Sequence, residues 1–251
     1  LNTYNQNAYL FKEIARTHPE RLTDAVASLQ TNGSFITEKS VSGKTLNPTV
    51  LYFFALIAYA CMSGAYLSIE AVRDTQANLS PLGARRSITP YRKQFLIFID
   101  MLVLIFIHFI NVMILTFYVN YILDIDLGNN YLAILATNFM GSLIGICLGL
   151  MIGCIGKLTF SAKIGICTST TLLTGFLSGL MFGNMKDVVE QNAPILNRIN
   201  PAAVLSDAYY CISVYNDTLR YQRCMITLLI MSVLFLGIAF LGVRRERYDS
   251  I

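Results

Sequence analysis

From residue 49 onward the chain is a series of long apolar runs separated by short polar and charged stretches. Five runs are long enough to cross a hydrocarbon core of about 30 Å, which takes roughly 20 helical residues. They lie at approximately Thr49–Ile69, Phe95–Leu123, Tyr131–Ile155, Ile164–Phe182 and Cys224–Gly242. The pattern predicts an all-α, polytopic membrane protein with five transmembrane helices. Residues 1–48 read differently: helical through "YNQNAYLFKEIARTHPERLTDAVASLQ", then loop-like through "TNGSFITEKSVSGKTLNP".

The connections alternate in charge. Val72–Gln94 holds Arg73, Arg85, Arg86, Arg92 and Lys93, Gly156–Lys163 holds Lys157 and Lys163, and the tail holds Arg244, Arg245 and Arg247. Between them, "DIDLGNN" has no Lys or Arg, and in Gly183–Arg223 the basic and acidic residues balance. Positive residues stay on the cytoplasmic side, so the expectation is three cytoplasmic connections, two outer ones and residues 1–48 outside. No basic-then-apolar leader opens the sequence, so an exported segment 1–48 implies a sixth crossing before Leu1. Few large apolar side chains occur in 1–48, which reads as part of a larger external domain.

Composition agrees. The chain is 55% hydrophobic and 14% charged, against about 25% charged in soluble domains. Cys61, Cys147, Cys154 and Cys167 fall inside apolar runs, where thiols act as small hydrophobes. Cys211 and Cys224 fall near the outer face, within reach of pairing. No C-x-x-C or Cys/His cluster suggests a metal.

Several chemistries lack their parts. "SVSGKT" has Glu38 where a phosphate loop needs glycine, and in "GCIGKLT" Leu158 follows Lys157. The chain is therefore expected to be no enzyme, with no nucleotide site of its own. Intramembrane proteolysis needs H-E-x-x-H or two membrane aspartates, and only Asp100 lies within a run. Asp100 either pairs a nearby basic residue or snorkels to the interface. His108 reads as a helix–helix hydrogen bonder.

Gly141, Gly145, Gly149 and Gly153 recur every four residues, a flat groove for another helix. Thr171, Thr174, Gly175 and Ser178 share one face of the following run. That face either packs on a neighbour or lines a substrate route.

Two loops repeat one device, a capping side chain followed by proline at the first helical position. Ser80-Pro81 predicts a short helix over about 80–89, and Thr89-Pro90 predicts the start of the next spanning helix. The first is either a rigid element for a protein partner or an interfacial helix on anionic lipid. Asn200-Pro201 predicts an outer-face helix over about 200–213, interfacial or re-entrant, with Leu205, Tyr209 and Ile212 on its half-buried face.

These features together resemble the permease subunits of type-2 ABC exporters, in the branch with a large external domain after the first crossing. The resemblance rests on Glu70, Arg73, Arg85, Arg86, Thr89 and Pro90 after the first full span, on Asn200 and Pro201 before the last, and on the spacing of spans over 49–251. The stretch "RDTQANLS" departs from the family's usual run there.

The resemblance implies a half-transporter in a bacterial cell membrane with its C-terminus in the cytoplasm. Its partners would be a cytoplasmic ABC ATPase carrying ATP and magnesium, a second permease subunit (the same chain or another) and membrane lipid, with no nucleic acid. The helix headed by Pro81 would be the coupling helix. A non-transporting sensor or immunity module of the same architecture is the alternative, and a secondary carrier fits less well for want of paired repeats. Fold-level likeness does not choose a substrate.

Overall fold

A computed structural model of the chain describes residues 48–76, 80–155, 158–215 and 217–246. The external segment expected at 1–48 therefore lies outside the described residues except for Pro48, and so do Lys157, Asn216 and Arg247. Every regular element described is helical: α1 (Pro48–Met62), α2 (Gly64–Arg73), α3 (Pro81–Ser87), α4 (Lys93–Phe117), α5 (Tyr131–Gly153), α6 (Phe160–Leu177), α7 (Met185–Asn192), α8 (Pro194–Ile199), α9 (Pro201–Tyr210) and α10 (Thr218–Glu246). Single π-helical turns extend α4 over Tyr118–Ile122 and α9 over Cys211–Tyr215.

Four described helices are long and apolar enough to cross a membrane: Thr49–Arg73, Gln94–Ile122, Tyr131–Gly153 and Thr218–Gly242. The expected fourth run differs. Helix α6 is 18 residues long, about 27 Å at 1.5 Å per residue, and carries Lys163 together with a series of hydroxyl side chains. It also ends at Leu177, where the sequence pattern expected Phe182. Ser178 Oγ donates to Gly175 O, Leu180 N bonds back to Gly175 O, and Gly179 takes φ 96°, which stops the helix.

The centre of the bundle is α5. Of its span 67% is buried, against 28% for Gln94–Ile122 and 17% for Thr218–Gly242. The glycine ridge explains this position. A methyl group on Gly141 would strike the Cys61 side chain, one on Gly145 the Cys61 carbonyl oxygen, one on Gly149 the Ala65 backbone and one on Gly153 the Val72 side chain. The ridge thus receives α1 and α2 with backbone nearly against backbone. Between apolar helices in a bilayer the gain comes from such close packing and from hydrogen bonds, because lipid tails are as apolar as leucine.

The first span is broken in its middle. Residue 63 separates α1 from α2, and His108 Nε2 lies 3.1 Å from the Cys61 carbonyl oxygen. A carbonyl only accepts, so Nε2 carries the proton and donates. Gly64 makes room for the ring, since a Cβ there would meet His108 Cδ2 at 2.6 Å.

Helix α9 differs from the half-buried element expected. Ala202, Ala203, Val204, Leu205, Ser206, Ala208 and Tyr209 are all buried. Its alanines allow enclosure on several sides, and Tyr209 stacks on Phe54 of α1 with ring centroids 6.0 Å apart.

Candidate functional site

Two groups of polar residues stand at opposite ends of the bundle. The first is built around α3. Ser80 takes an extended conformation, and its hydroxyl accepts from Gly83 N at 2.8 Å while donating to Arg73 O at 3.4 Å. Pro81 occupies the first turn, where its missing N–H costs nothing. Gly83 is buried against the backbone of Gln76, and a Cβ would collide with that residue's carbonyl. The start of α3 is thereby joined to the end of the first span.

The other end of α3 is joined to the second span. Arg86 Nη1 donates to Asp100 Oδ2 at 2.7 Å, with the two side chains 32% and 25% exposed. Of the two readings of Asp100, the geometry shows the pair. Thr89 Oγ1 donates to Arg86 O at 2.7 Å. Thr89 therefore closes α3, whereas the sequence pattern had it opening the next helix. Pro90 lies in a bend, and α4 starts only at Lys93 after Arg92 in extended conformation. The chain needs those intervening residues to turn from α3 into the span.

Around this joint, Arg73 bridges Glu70 at 3.1 Å and Asp74 at 3.7 Å, and its guanidinium lies 4.9 Å from the Phe160 ring centroid. Lys163 is 2% exposed, and its Nζ donates to Gly153 O at 2.5 Å, closing the C-terminal end of α5. A cation suits the negative end of a helix. Outward from the joint, Leu82, Arg85, Ile88, Tyr91 and Arg92 are exposed, with Ile88 at 85%. A short helix held at both ends thus presents a mixed apolar and basic face.

The second group lies at the other end. Asn200 accepts from Ala202 N at 3.0 Å and donates to Thr174 O at 2.9 Å, so the cap of α9 also ties it to α6. Pro201 follows, buried. The hydroxyl face of α6 is turned inward: Tyr66 Oη lies 3.2 Å from both Thr168 Oγ1 and Thr171 Oγ1, and Thr171 and Ser178 are buried. Lys186 meets Asp207 at 2.6 Å, with Arg220 at 4.0 Å. Cys211 and Cys224 are free thiols, the first buried and the second half-buried.

Sequence reasoning missed a polar hub between the ends. Buried Asn138 takes a hydrogen bond from Tyr209 Oη and exchanges bonds with Thr116 at 3.1 Å and 3.3 Å. It links α4, α5 and α9. An asparagine within an otherwise apolar run was the available signal, since a buried amide demands partners. Gly83 and Gln76 were also missed.

The profile of the family described as "ABC-2 family transporter protein" matches residues 2–241. The chain belongs to the ABC-2 transporter family. No curated protein and no solved structure matches it. Family membership makes the chain a membrane component of an ABC transporter and implies that it works with an ATPase.

Proposed function

We propose that the chain is the permease subunit of an ATP-driven exporter, with α3 as its coupling element. The observation that carries the reading is the double attachment of α3, to Arg73 and Gln76 at the end of the first span and to Asp100 in the second. A force applied to the exposed face of α3 reaches two spanning helices without loss in a flexible loop. ATPase movement and membrane-helix movement are then one motion. ATP and magnesium belong to the partner, and two permease subunits, the same chain or different ones, surround the route.

The charge pattern supports α3 and the α5–α6 connection on the cytoplasmic side, with residues 1–48 and the α9 end outside. In this orientation α6 is a fifth crossing, its hydroxyl groups bonded within the helix and to Tyr66. Single cysteines at Asn32 and Asn216 should label with an impermeant thiol reagent in intact cells, and those at Ser87 and Ser161 should not. Labelling at Ser87 reverses the orientation. For coupling, Pro81→Gly loosens the start of α3 and keeps every charge; it should preserve membrane insertion but weaken ATPase co-purification and export. A lipid-anchoring helix would tolerate the change, since each basic residue still contributes about 1 kcal/mol at an anionic surface.

A further inference from the structure

A cavity of about 360 Å³ opens beside the break in the first span, lined by Ser63, Tyr66, Leu67, His108, Asn111 and Leu115 among others. Its lining combines apolar carbon with four uncharged polar side chains and contains no Asp, Glu, Lys or Arg. These residues fall near the middle of Thr49–Arg73 and of Gln94–Ile122, where hydrocarbon surrounds the bundle. Three of the polar groups have partners within the chain. Ser63 Oγ donates to Ala60 O, Tyr66 Oη meets Thr168 and Thr171, and His108 Nε2 donates to Cys61 O. The Asn111 side chain is exposed and makes no hydrogen bond among the described residues. An unsatisfied amide facing hydrocarbon is costly.

Two kinds of occupant would satisfy it, another helix or a small amphiphile. Close helix pairing in membranes uses small residues. Along the hollow, α4 has none: residues 107–115, "IHFINVMIL", contain no glycine, alanine, serine or threonine. The hollow is concave and within the size range of small-molecule sites, roughly 300–1,000 Å³. We propose that this groove binds an uncharged amphiphile from the bilayer, its hydroxyl or amide on Asn111 and Ser63 and its chain along Leu67 and Leu115. Charged headgroups find no counter-ion there and are rejected. Binding here is separate from ATPase coupling, so failure of either leaves the other standing.

The test is photolabelling of the purified protein in phosphatidylcholine nanodiscs with a diazirine-bearing octanol, mapped by peptide mass spectrometry. Labelling should be saturable, competed by excess octanol, and concentrated on residues 60–67 and 108–115. Asn111→Leu should weaken the apparent affinity about fivefold, the loss expected for one hydrogen bond, while Asn111→Gln retains it and Leu67→Trp blocks the hollow. Asn111 is exposed, so its leucine variant should fold normally, which thermal unfolding verifies. Uncompeted labelling spread along all of α4, equal labelling by the corresponding diazirine octanoate, or an unchanged Asn111→Leu affinity would overturn the proposal. So would efficient disulfide-linked homodimers of Asn111→Cys, which would give the groove to a second copy.

Discussion

Gly83→Ala is the most discriminating single change at the joint, because two principles predict opposite signs. In a solvated helix, alanine is favoured over glycine by about 0.5–1 kcal/mol. Gly83 instead lies against Gln76, whose carbonyl oxygen and carbon would both sit well inside 3.0 Å of the new methyl group. Both obstacles are backbone, so no side chain can swing aside, and α3 must retreat. Retreat strains the Ser80–Arg73 bond at one end and the Arg86–Asp100 bridge at the other. Overpacking of this kind costs about 1–3 kcal/mol. After the propensity gain, the net loss is about 1–2 kcal/mol, close to a tenfold fall in the population with α3 docked. Hydrogen exchange of the peptide covering 80–89 should accelerate by that factor, and ATPase co-purification should weaken while the spans stay protected. Unchanged or slower exchange would refute the close approach and the joint built on it.

Other expectations follow from the same packing. Arg86→Ala and Asp100→Asn in a double-mutant cycle should show a coupling energy of about 1 kcal/mol, a partly exposed pair being screened by solvent; thermal unfolding in detergent reads it, and additivity would deny the bridge. Gly145→Leu should separate α5 from α1 and sharply reduce the yield of folded protein, because its first carbon already meets the Cys61 carbonyl; size-exclusion profiles at wild-type yield would place the ridge against lipid. His108→Leu leaves that carbonyl without its donor and should cost about 1–3 kcal/mol in thermal unfolding. His108→Gln should restore part of the loss.

Four of the five expected spans were legible because twenty-residue apolar runs have few other uses, and the glycine ridge because strict four-residue spacing is a helix-surface signal. Its partner was not legible. Nothing local in Gly145 names Cys61; only the tertiary approach does. Thr89-Pro90 was misread for a related reason. A hydroxyl before proline fits the start of a helix, and the same hydroxyl can bond back to the helix behind it, as it does to Arg86 O. Gly179 hid the early end of α6, since glycine in an apolar run signals close packing as readily as a left-handed turn. The start of helix α9 was legible from Asn200-Pro201, but its enclosure depended on Phe54 and Asn138, far away in sequence.

The central claim is that the exposed face of α3 touches an ATPase. A photoreactive benzoylphenylalanine at Ile88, 85% exposed beside the end of α3, tests it most directly. The same residue at Ile114 in α4, 63% exposed, serves as the lipid-facing control. Irradiation of native membranes should link position 88, and not position 114, to a protein with ATP-binding motifs, more weakly when Gly83→Ala is added. Capture of lipid alone at both positions would contradict the account.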